Sequence, residues 1–229
     1  MINPLDLYAK IESLIGFDEH YEKLYKTYLS LLHSLHVKTI LDVGCGNGKF
    51  LKHLEQEQFD ACGIDRSAAM VERARALGVK ASTHELDTFQ EAQFECVVAI
   101  ADVLNYIHPR ELESFFEAVA RVLPHEGHFV CDINTLYGFE SVAEGVMCHD
   151  KESQFLCVEA TFEKKELLTT IVFFEKVGDL YRKEEGTITQ YFHALSLFKK
   201  LKMFKLCSTK PVTLFGDEPD KTILVLQKR

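Results

Sequence analysis

Three glycines at alternate positions, Gly44, Gly46 and Gly48, follow an apolar run and an acid, Asp42. Glycine allows backbone torsions that other residues avoid, and it lets the main chain approach a ligand without an intervening Cβ. The acid suits a ligand that carries an ammonium group, and it would repel a pyrophosphate. The spacing also differs from the Gly-x-Gly-x-x-Gly of dinucleotide-binding turns. A glycine turn that binds no ligand is the alternative interpretation.

The residues around this turn predict a strand before it and a helix after it. Residues 37–43 form an apolar strand pattern, and a helical pattern begins at Phe50. A strand, a glycine turn and a helix in that order are typical of the ligand-binding corner of a doubly wound α/β domain. A second strand, 59–64, ends at Asp65, where a carboxylate can accept hydrogen bonds from the hydroxyls of a ribose. The alternative is that Asp65 is an acid favoured by a helix dipole.

A central parallel strand is predicted at residues 94–101, because this run is apolar throughout. Ligands of open α/β sheets lie beyond the carboxyl ends of the strands. Asp102, Asn105 and Tyr106 are therefore predicted to lie near the reacting groups, although Tyr106 could instead be a half-buried ring in a turn. The other strand patterns of the core cover residues 79–82, 128–133, 202–207 and 221–227.

Three units are predicted: a helical lid at 1–36, a core at 37–137 and 191–229, and an insertion at 138–190. Strand-like alternation indicates three antiparallel strands in the insertion, at 155–163, 167–176 and 180–190, with tight turns at Lys164-Lys165 and Gly178-Asp179. The predicted fold is a doubly wound, mostly parallel seven-stranded sheet with an antiparallel β insertion. The insertion is interpreted as a cover over the site, or as an edge used for dimerisation. The helices at 1–36 either close over the ligand or simply cover one face of the sheet.

Composition narrows the class of protein. The chain has 229 residues and a net charge of −9, which argues against a nucleic-acid footprint and leads us to expect no DNA partner. It lacks a run of about 18 uncharged apolar residues, so no membrane span is expected. The N-terminus lacks the pattern of a signal peptide. Seven cysteines without a Cys-x-x-Cys pair indicate buried thiols in a reducing compartment, with no disulfide and no metal site. We therefore expect a cytoplasmic protein, monomeric or homodimeric.

Four segments resemble the class I S-adenosylmethionine-dependent methyltransferases. They are the glycine motif 42–48, Asp65, the segment 101–107 (ADVLNYI) and the segment 132–137 (DINTLY). Together they resemble a bacterial subgroup that acts on small molecules and carries a β-rich insertion after strand five. No Asn-Pro-Pro-Tyr sequence follows strand four, so the resemblance does not extend to the amino methyltransferases of nucleic-acid bases.

The resemblance implies a cofactor, S-adenosyl-L-methionine, with S-adenosyl-L-homocysteine as the product. The residues that it assigns to the cofactor are Tyr21, Asp42, Gly44, Cys45, Gly46, Gly48, Asp65, Arg66, Met70, Leu86, Asp87, Ala101 and Tyr106. It assigns Asn105, Asn134 and Tyr137 to the acceptor. A general base is needed only if the acceptor must lose a proton, and Asp102 and His108 are the nearest candidates.

The predicted activity is methyl transfer to a nitrogen or oxygen of a small molecule by in-line displacement. Two alternatives stay open: a non-catalytic cofactor-binding module whose inserted sheet binds protein partners, and a tRNA-modifying methyltransferase. A nicotinamide-dependent oxidoreductase is disfavoured by the glycine spacing and by Asp42.

Overall fold

The protein is represented by a computed structural model that describes residues 4–229, apart from the side chain of Asp18. Residues 1–3 of the predicted 1–36 unit lie outside the described residues. The helices are α1 (Pro4–Ile15), α2 (Asp18–Leu35), α3 (Lys49–Gln56), α4 (Ala68–Ala76), α5 (Leu112–Val122) and α6 (Leu195–Phe198). The strands are β1 (Thr39–Val43), β2 (Asp60–Ile64), β3 (Ala81–Ser82), β4 (Cys96–Ala99), β5 (His128–Asn134), β6 (Gly145–Lys151), β7 (Gln154–Glu163), β8 (Glu166–Val177), β9 (Leu180–Tyr191), β10 (Phe204–Val212) and β11 (Lys221–Lys228).

Seven strands form the central sheet, in the order β10-β11-β5-β4-β1-β2-β3. The five strands from β3 to β5 are parallel, and β11 and β10 are antiparallel additions. The mostly parallel seven-stranded sheet predicted from sequence is therefore confirmed. The chain leaves β1 in one direction toward β2 and β3, and it returns to the other side of β1 as β4. The gap beyond the carboxyl ends of β1 and β4 is thus the topological switch point, where ligands of such sheets bind.

Helices cover both faces of this sheet because each presents one apolar stripe. On one face, α2 contributes the fully buried Leu24, Tyr28 and Leu32, and they pack in one cluster with Phe50 of α3. On the other face, the apolar stripe of α5 packs against the sheet, and its Phe116 is only 3% exposed. At β4 all four residues are buried, as predicted for a central strand.

The insertion is an antiparallel sheet in the order β6-β7-β8-β9. The tight turns at 164–165 and 178–179 are confirmed, since β7 ends at Glu163, β8 spans Glu166–Val177 and β9 begins at Leu180. The three predicted antiparallel strands are confirmed as β7, β8 and β9, and a fourth strand, β6, was not predicted. This edge strand has mostly exposed side chains and no clear apolar alternation, so the sequence carries little strand signal there.

The predicted helical lid divides into two parts that pack on different sheets. Helix α2 belongs to the core layer, whereas α1 lies on the inserted sheet, where its Leu7 and Ile11 pack with Leu156, Ile171 and Phe173. The predicted unit 1–36 is therefore not one layer, since α2 packs with the core sheet and α1 with the insertion.

One element near the C-terminus differs from its predicted extent. The sixth core strand, predicted at 202–207, continues as β10 to Val212, and the single turn α6 precedes it. β10 is an edge strand, so Pro211 fits within it although proline has no N–H to donate. No helix in residues 4–229 has the length and apolar character needed to cross a membrane.

Candidate functional site

The glycine turn after β1 is built by three residues in the left-handed region, with φ of 74° at Gly44, 52° at Gly46 and 80° at Gly48. A Cβ on Gly44 would lie 2.5 Å from a methyl group of Val103, and a Cβ on Gly48 would lie 2.7 Å from the Cβ of Ala74. A Cβ on Gly46 would meet nothing within 4 Å. Gly44 and Gly48 are therefore required by packing, whereas Gly46 faces open space beside the switch point.

Asp65 joins the glycine turn to the start of α4. Its carboxylate accepts hydrogen bonds from the backbone N–H of Gly46 at 2.9 Å and of Ser67 at 2.8 Å. Burial raises the pKa of Asp65, and these two hydrogen bonds oppose the increase. The carboxylate therefore lies against the turn, at the carboxyl end of β2, as the sequence predicted.

Asp42, in β1 just before the turn, is fully buried, and neither of its carboxylate oxygens has a hydrogen-bond partner among residues 4–229 as described. Burial, with a smaller contribution from the charge of Asp65, raises its pKa to about 8. A buried carboxylate without a partner is costly, and a cationic ligand group would remove that cost. The orphaned carboxylate beside the open Gly46 thus fits a ligand with an ammonium group.

Helix α1 makes polar side-chain contacts with three other parts of the structure: the glycine turn, the start of α4 and the insertion. The carboxylate of Asp6 accepts a hydrogen bond of 2.5 Å from the hydroxyl of Ser67. Glu12 accepts two hydrogen bonds of 2.9 Å from the side-chain amide of Asn47 in the glycine turn. Lys10 donates to Glu184 of β9 at 2.5 Å. These contacts hold α1 across the turn.

Three tyrosines from separate elements converge beside this turn. Burial raises the pKa of Tyr21, and the nearby phenols of Tyr8 and Tyr106 raise it further. The pKa of Tyr106 is raised by burial and then by Tyr8 and Asp65, although about a third of the Tyr106 side chain is accessible to solvent. The ring of Tyr21 also lies edge-on to Phe215, with centroids 6.2 Å apart. Tyr21 of α2 and Tyr106 therefore lie near each other and near Tyr8 of α1.

The turn after β4 is strained, because two successive non-glycine residues, Ala101 and Asp102, have φ of 62° and 72°. Asp132 of β5 holds this turn by accepting hydrogen bonds from their backbone N–H groups, at 2.8 Å and 3.2 Å. Its carboxylate also accepts a 2.7 Å hydrogen bond from the hydroxyl of Tyr28. Burial raises the pKa of Asp132 to about 7. Strain supported in this way is a common feature of functional sites.

Lys221, the first residue of β11, supplies the positive charge of this region. Its ammonium group donates to the carboxylate of Asp102 and, at 2.7 Å, to the side-chain oxygen of Asn134. The carboxylate of Asp132 lies 3.7 Å away. Burial lowers the pKa of Lys221 to about 7. The three side chains of Asp102, Asp132 and Asn134 are thus gathered around one buried lysine.

Asn105 is fully buried, and its amide connects two parts of the chain. Its oxygen accepts a 3.0 Å hydrogen bond from the backbone N–H of Asn134, and its nitrogen donates to the carbonyl of Tyr191 at 2.8 Å. In this arrangement Asn105 ties the end of β5 to the end of the insertion. Its predicted contact with an acceptor stays a prediction.

The other predicted residues lie around the same edge of the sheet. The hydroxyl of Tyr137 accepts a 3.2 Å hydrogen bond from the N–H of Asp217. The ring of His108 lies 4.9 Å from that of Tyr191. Among the residues assigned to the cofactor, Cys45, Met70 and Leu86 are buried, whereas Arg66 and Asp87 are exposed.

The sequence reasoning missed Tyr28, Lys221 and Asp220. Neither Tyr28 nor Asp220 was singled out, and Lys221 was only the first residue of the predicted strand 221–227. Asp220 is 2% exposed and accepts hydrogen bonds from three successive N–H groups, at 214–216, which shapes the loop carrying Phe215. A signal for these residues was the pair Asp220-Lys221 directly before an apolar strand.

Within residues 4–229, no group of three or more His, Cys, Asp or Glu side chains is arranged to hold a metal ion.

Comparison with known proteins gives a family match for part of the chain, and that part carries the glycine turn, Asp65 and the turn after β4. Residues 40–127 match the family described as "Methyltransferase domain". A protein of Geobacillus sp. (strain WCH70) is 28% identical over 130 residues, covering 52% of each chain. YqeM of Bacillus subtilis (strain 168) is 27% identical over 163 residues, covering 66% of each chain. The names of both proteins assign them provisionally to the methyltransferases. The match spans about half the length of the first relative and slightly less than two thirds of the second.

Solved structures extend the likeness of the fold to the whole chain. An S-adenosylmethionine-dependent methyltransferase from Clostridium acetobutylicum ATCC 824 superposes with a TM-score of 0.79 at 20% identity, covering 99% of both chains. The sugar N-methyltransferase KedS8 from Streptoalloteichus sp. ATCC 53650 has a TM-score of 0.72 at 18% identity, covering 98% of this chain and 92% of that one. Residues 40–127 thus match the methyltransferase-domain family, and the whole chain shares its fold with a solved S-adenosylmethionine-dependent methyltransferase.

Proposed function

We propose that this protein transfers the methyl group of S-adenosylmethionine to a nitrogen or oxygen atom of a small-molecule acceptor, by direct in-line displacement. The observation that carries the proposal is the buried carboxylate of Asp42, which has no partner and lies beside a glycine turn with open space at Gly46. The family match at residues 40–127 supports the same reaction. The fold shared with a sugar N-methyltransferase supports a small-molecule acceptor.

The chain's own residues have distinct tasks in this proposal. Asp42 would pair with the ammonium group of the cofactor, and Asp65 would accept hydrogen bonds from its ribose. When bound, the cofactor supplies an electrophilic methyl group on a sulfonium. The remaining task is alignment in a site closed to water, which can contribute roughly 7–11 kcal/mol. No nucleophilic side chain is required.

The acceptor would bind on the side of the cleft formed by the ends of β4 and β5. Asn134 and Tyr137 are proposed to position it. If the acceptor must lose a proton, Asp102 is better supported as the base than His108, because its carboxylate is held in place by Lys221.

The cytoplasmic location is supported by the seven cysteines, all of which are free thiols. A monomer or a homodimer is proposed for the assembly.

The proposal is tested by calorimetric titration with S-adenosylhomocysteine. We expect a dissociation constant in the range of ordinary metabolite sites, about 1 μM to 1 mM. Gly46→Val should abolish binding, because its side chain fills the open space at the turn. Gly178→Val is the matched control, since Gly178 also has a positive φ, 64°, and open space at its Cβ, but lies in the turn between β8 and β9.

The titrations of the wild-type protein and of Gly46→Val test different parts of the proposal. Absence of binding by the wild-type protein would contradict the proposed function. Normal affinity in Gly46→Val would contradict only the location of the cofactor at this turn.

A non-catalytic binding module is a second candidate, favoured by exposed apolar side chains on the insertion. Val146 is 67% exposed, Leu180 is 75% exposed and Tyr181 is 55% exposed. Cofactor binding without methyl transfer to any acceptor in a broad panel of amines, alcohols and tRNA would favour this candidate. Methyl transfer to tRNA alone would instead favour a tRNA-modifying enzyme.

A further inference from the structure

Two cysteines of the insertion face each other on neighbouring strands. Cys148 of β6 and Cys157 of β7 are directly opposed in the antiparallel register. Their sulfur atoms lie 2.6 Å apart. Cys148 is exposed and Cys157 is half-buried, so small reagents in solution can reach the pair.

The backbone geometry of this pair already suits a covalent bond. Directly opposed residues of an antiparallel pair have Cα atoms about 4.5–5.5 Å apart. A disulfide requires a Cα separation of about 4.4–6.8 Å. The two side chains also point toward each other, as the close approach of the sulfur atoms requires. A disulfide can therefore form without rearrangement of either strand.

We propose that Cys148 and Cys157 form a reversible modification site, which closes into an intramolecular disulfide on reaction with a low-molecular-weight disulfide such as glutathione disulfide. One cysteine thiolate attacks a sulfur of glutathione disulfide, forms a mixed disulfide and releases one glutathione thiolate. The second cysteine thiolate then attacks the protein sulfur of the mixed disulfide and releases the other glutathione. The two cysteines lose two protons and two electrons in total, and glutathione disulfide is reduced to two glutathione thiols.

The environment of the two thiols suggests the order of these steps. The hydrogen bond shared with Cys148 raises the pKa of Cys157, and burial and the charge of Glu159 raise it further. Cys148 is the more exposed of the two thiols, so it is the first to react, because reactivity follows exposure. Cys157 then resolves the mixed disulfide.

Closure would fix the edge of the insertion that β6 forms. β6 is an edge strand, paired on one side only, with β7. It follows a π-helical turn at 138–143, in which Phe139 stacks on Phe162 of β7 with ring centroids 5.0 Å apart. A covalent link between β6 and β7 would therefore restrain the segment that connects the insertion to β5.

The test is incubation of the reduced full-length protein with glutathione disulfide, followed by peptide mass mapping without reduction. We expect a linked peptide pair containing Cys148 and Cys157, in a monomeric chain lighter by two hydrogen atoms at this pair. Dithiothreitol should reverse the link. Cys207, which is exposed and has no thiol partner among the described residues, should carry glutathione instead.

Two variants make the test specific. Cys157→Ser should trap a stable glutathione adduct on Cys148, because the resolving thiol is gone. Cys207→Ser, the matched control, should close the pair like the wild-type protein, and circular dichroism would show that both variants are folded. The proposal is overturned if wild-type Cys148 retains glutathione, if it stays unmodified while Cys207 reacts, or if the link forms only between chains. None of these results depends on the proposed methyl transfer.

Discussion

At the scale of single residues, Asp42 gives the strongest evidence for the proposed function. A carboxylate with no hydrogen bond and no solvent access is among the most costly groups to bury. Burial raises the pKa of Asp42 to about 8, so that much of it is protonated at neutral pH. Perturbed carboxyl groups of this kind concentrate at functional sites. Its position before the glycine turn was visible in the sequence, but its lack of a partner was not.

The raised pKa predicts how affinity for S-adenosylhomocysteine depends on pH. An ammonium group of the ligand pairs with the ionised carboxylate, so binding must release the proton that Asp42 holds below about pH 8. Affinity should therefore increase from pH 6 to pH 8, by at most about tenfold per pH unit. Calorimetry across this range measures the effect. Asp42→Asn should bind more weakly and with a flatter pH profile, whereas a wild-type affinity independent of pH would contradict the ammonium pairing.

At the scale of elements, α1 is the part of the structure that connects the others. Its apolar stripe, readable in the sequence, turns toward the inserted sheet, while its polar side reaches the glycine turn and α4. Helix α2 has a similar stripe but packs on the core sheet. Two adjacent amphipathic helices look alike in sequence, because periodicity shows which side of a helix is apolar but not which sheet covers it.

The location of α1 predicts a difference between the two helices in hydrogen exchange. Glu12 bonds to Asn47 in the glycine turn, so a ligand that orders the turn should also order α1. Binding of S-adenosylhomocysteine should slow amide exchange in α1 and leave α2 nearly unchanged. Mass spectrometry of exchanged peptides measures this effect.

Two variants separate this coupling from a general effect on α1. Glu12→Ala should reduce the ligand-induced protection. Lys10→Ala, which removes a contact of α1 with the insertion instead, should retain it. Equal protection of α1 in both variants would show that the bond to the turn does not transmit the effect.

At the scale of the whole molecule, four separate elements of the core contribute side chains to one buried polar cluster. Tyr28 comes from α2, Asp102 follows β4, Asp132 lies in β5, and Lys221 begins β11. Among these four side chains there is one positive charge for two carboxylates, and all of them are removed from bulk water or nearly so. Such clusters stabilise a fold only while every member is present.

Removing the lysine should therefore destabilise the protein strongly. Lys221→Met leaves Asp102 and Asp132 without their counter-charge, and a loss of about 3–5 kcal/mol in the free energy of unfolding is expected. Urea denaturation followed by circular dichroism measures the loss. Lys80→Met is the control, because Lys80 also pairs with an aspartate, Asp60, but both side chains are 70% exposed. It should change stability little, and equal losses in the two variants would refute a special role for the buried cluster.

The sequence by itself determined the parts of this protein that depend on local order along the chain. The apolar runs, the three glycines after β1 and the acid at the end of β2 follow one another within a short segment, and their torsional and hydrophobic requirements act locally. They were sufficient to predict the parallel sheet, the glycine turn and the family resemblance. The hairpin turns of the insertion were predictable for the same reason.

Only the tertiary structure decided which distant side chains meet. Lys221 reaches Asp102, Cys148 reaches Cys157, and α1 reaches the insertion because sheet order and strand register bring them together. No periodicity or local motif in the sequence predicts these contacts. They depend on strand register, and a one-residue change of register would turn each strand residue to the opposite face. The same physics explains why β6 was missed, because an exposed edge strand is specified by its partner strand and not by its own pattern.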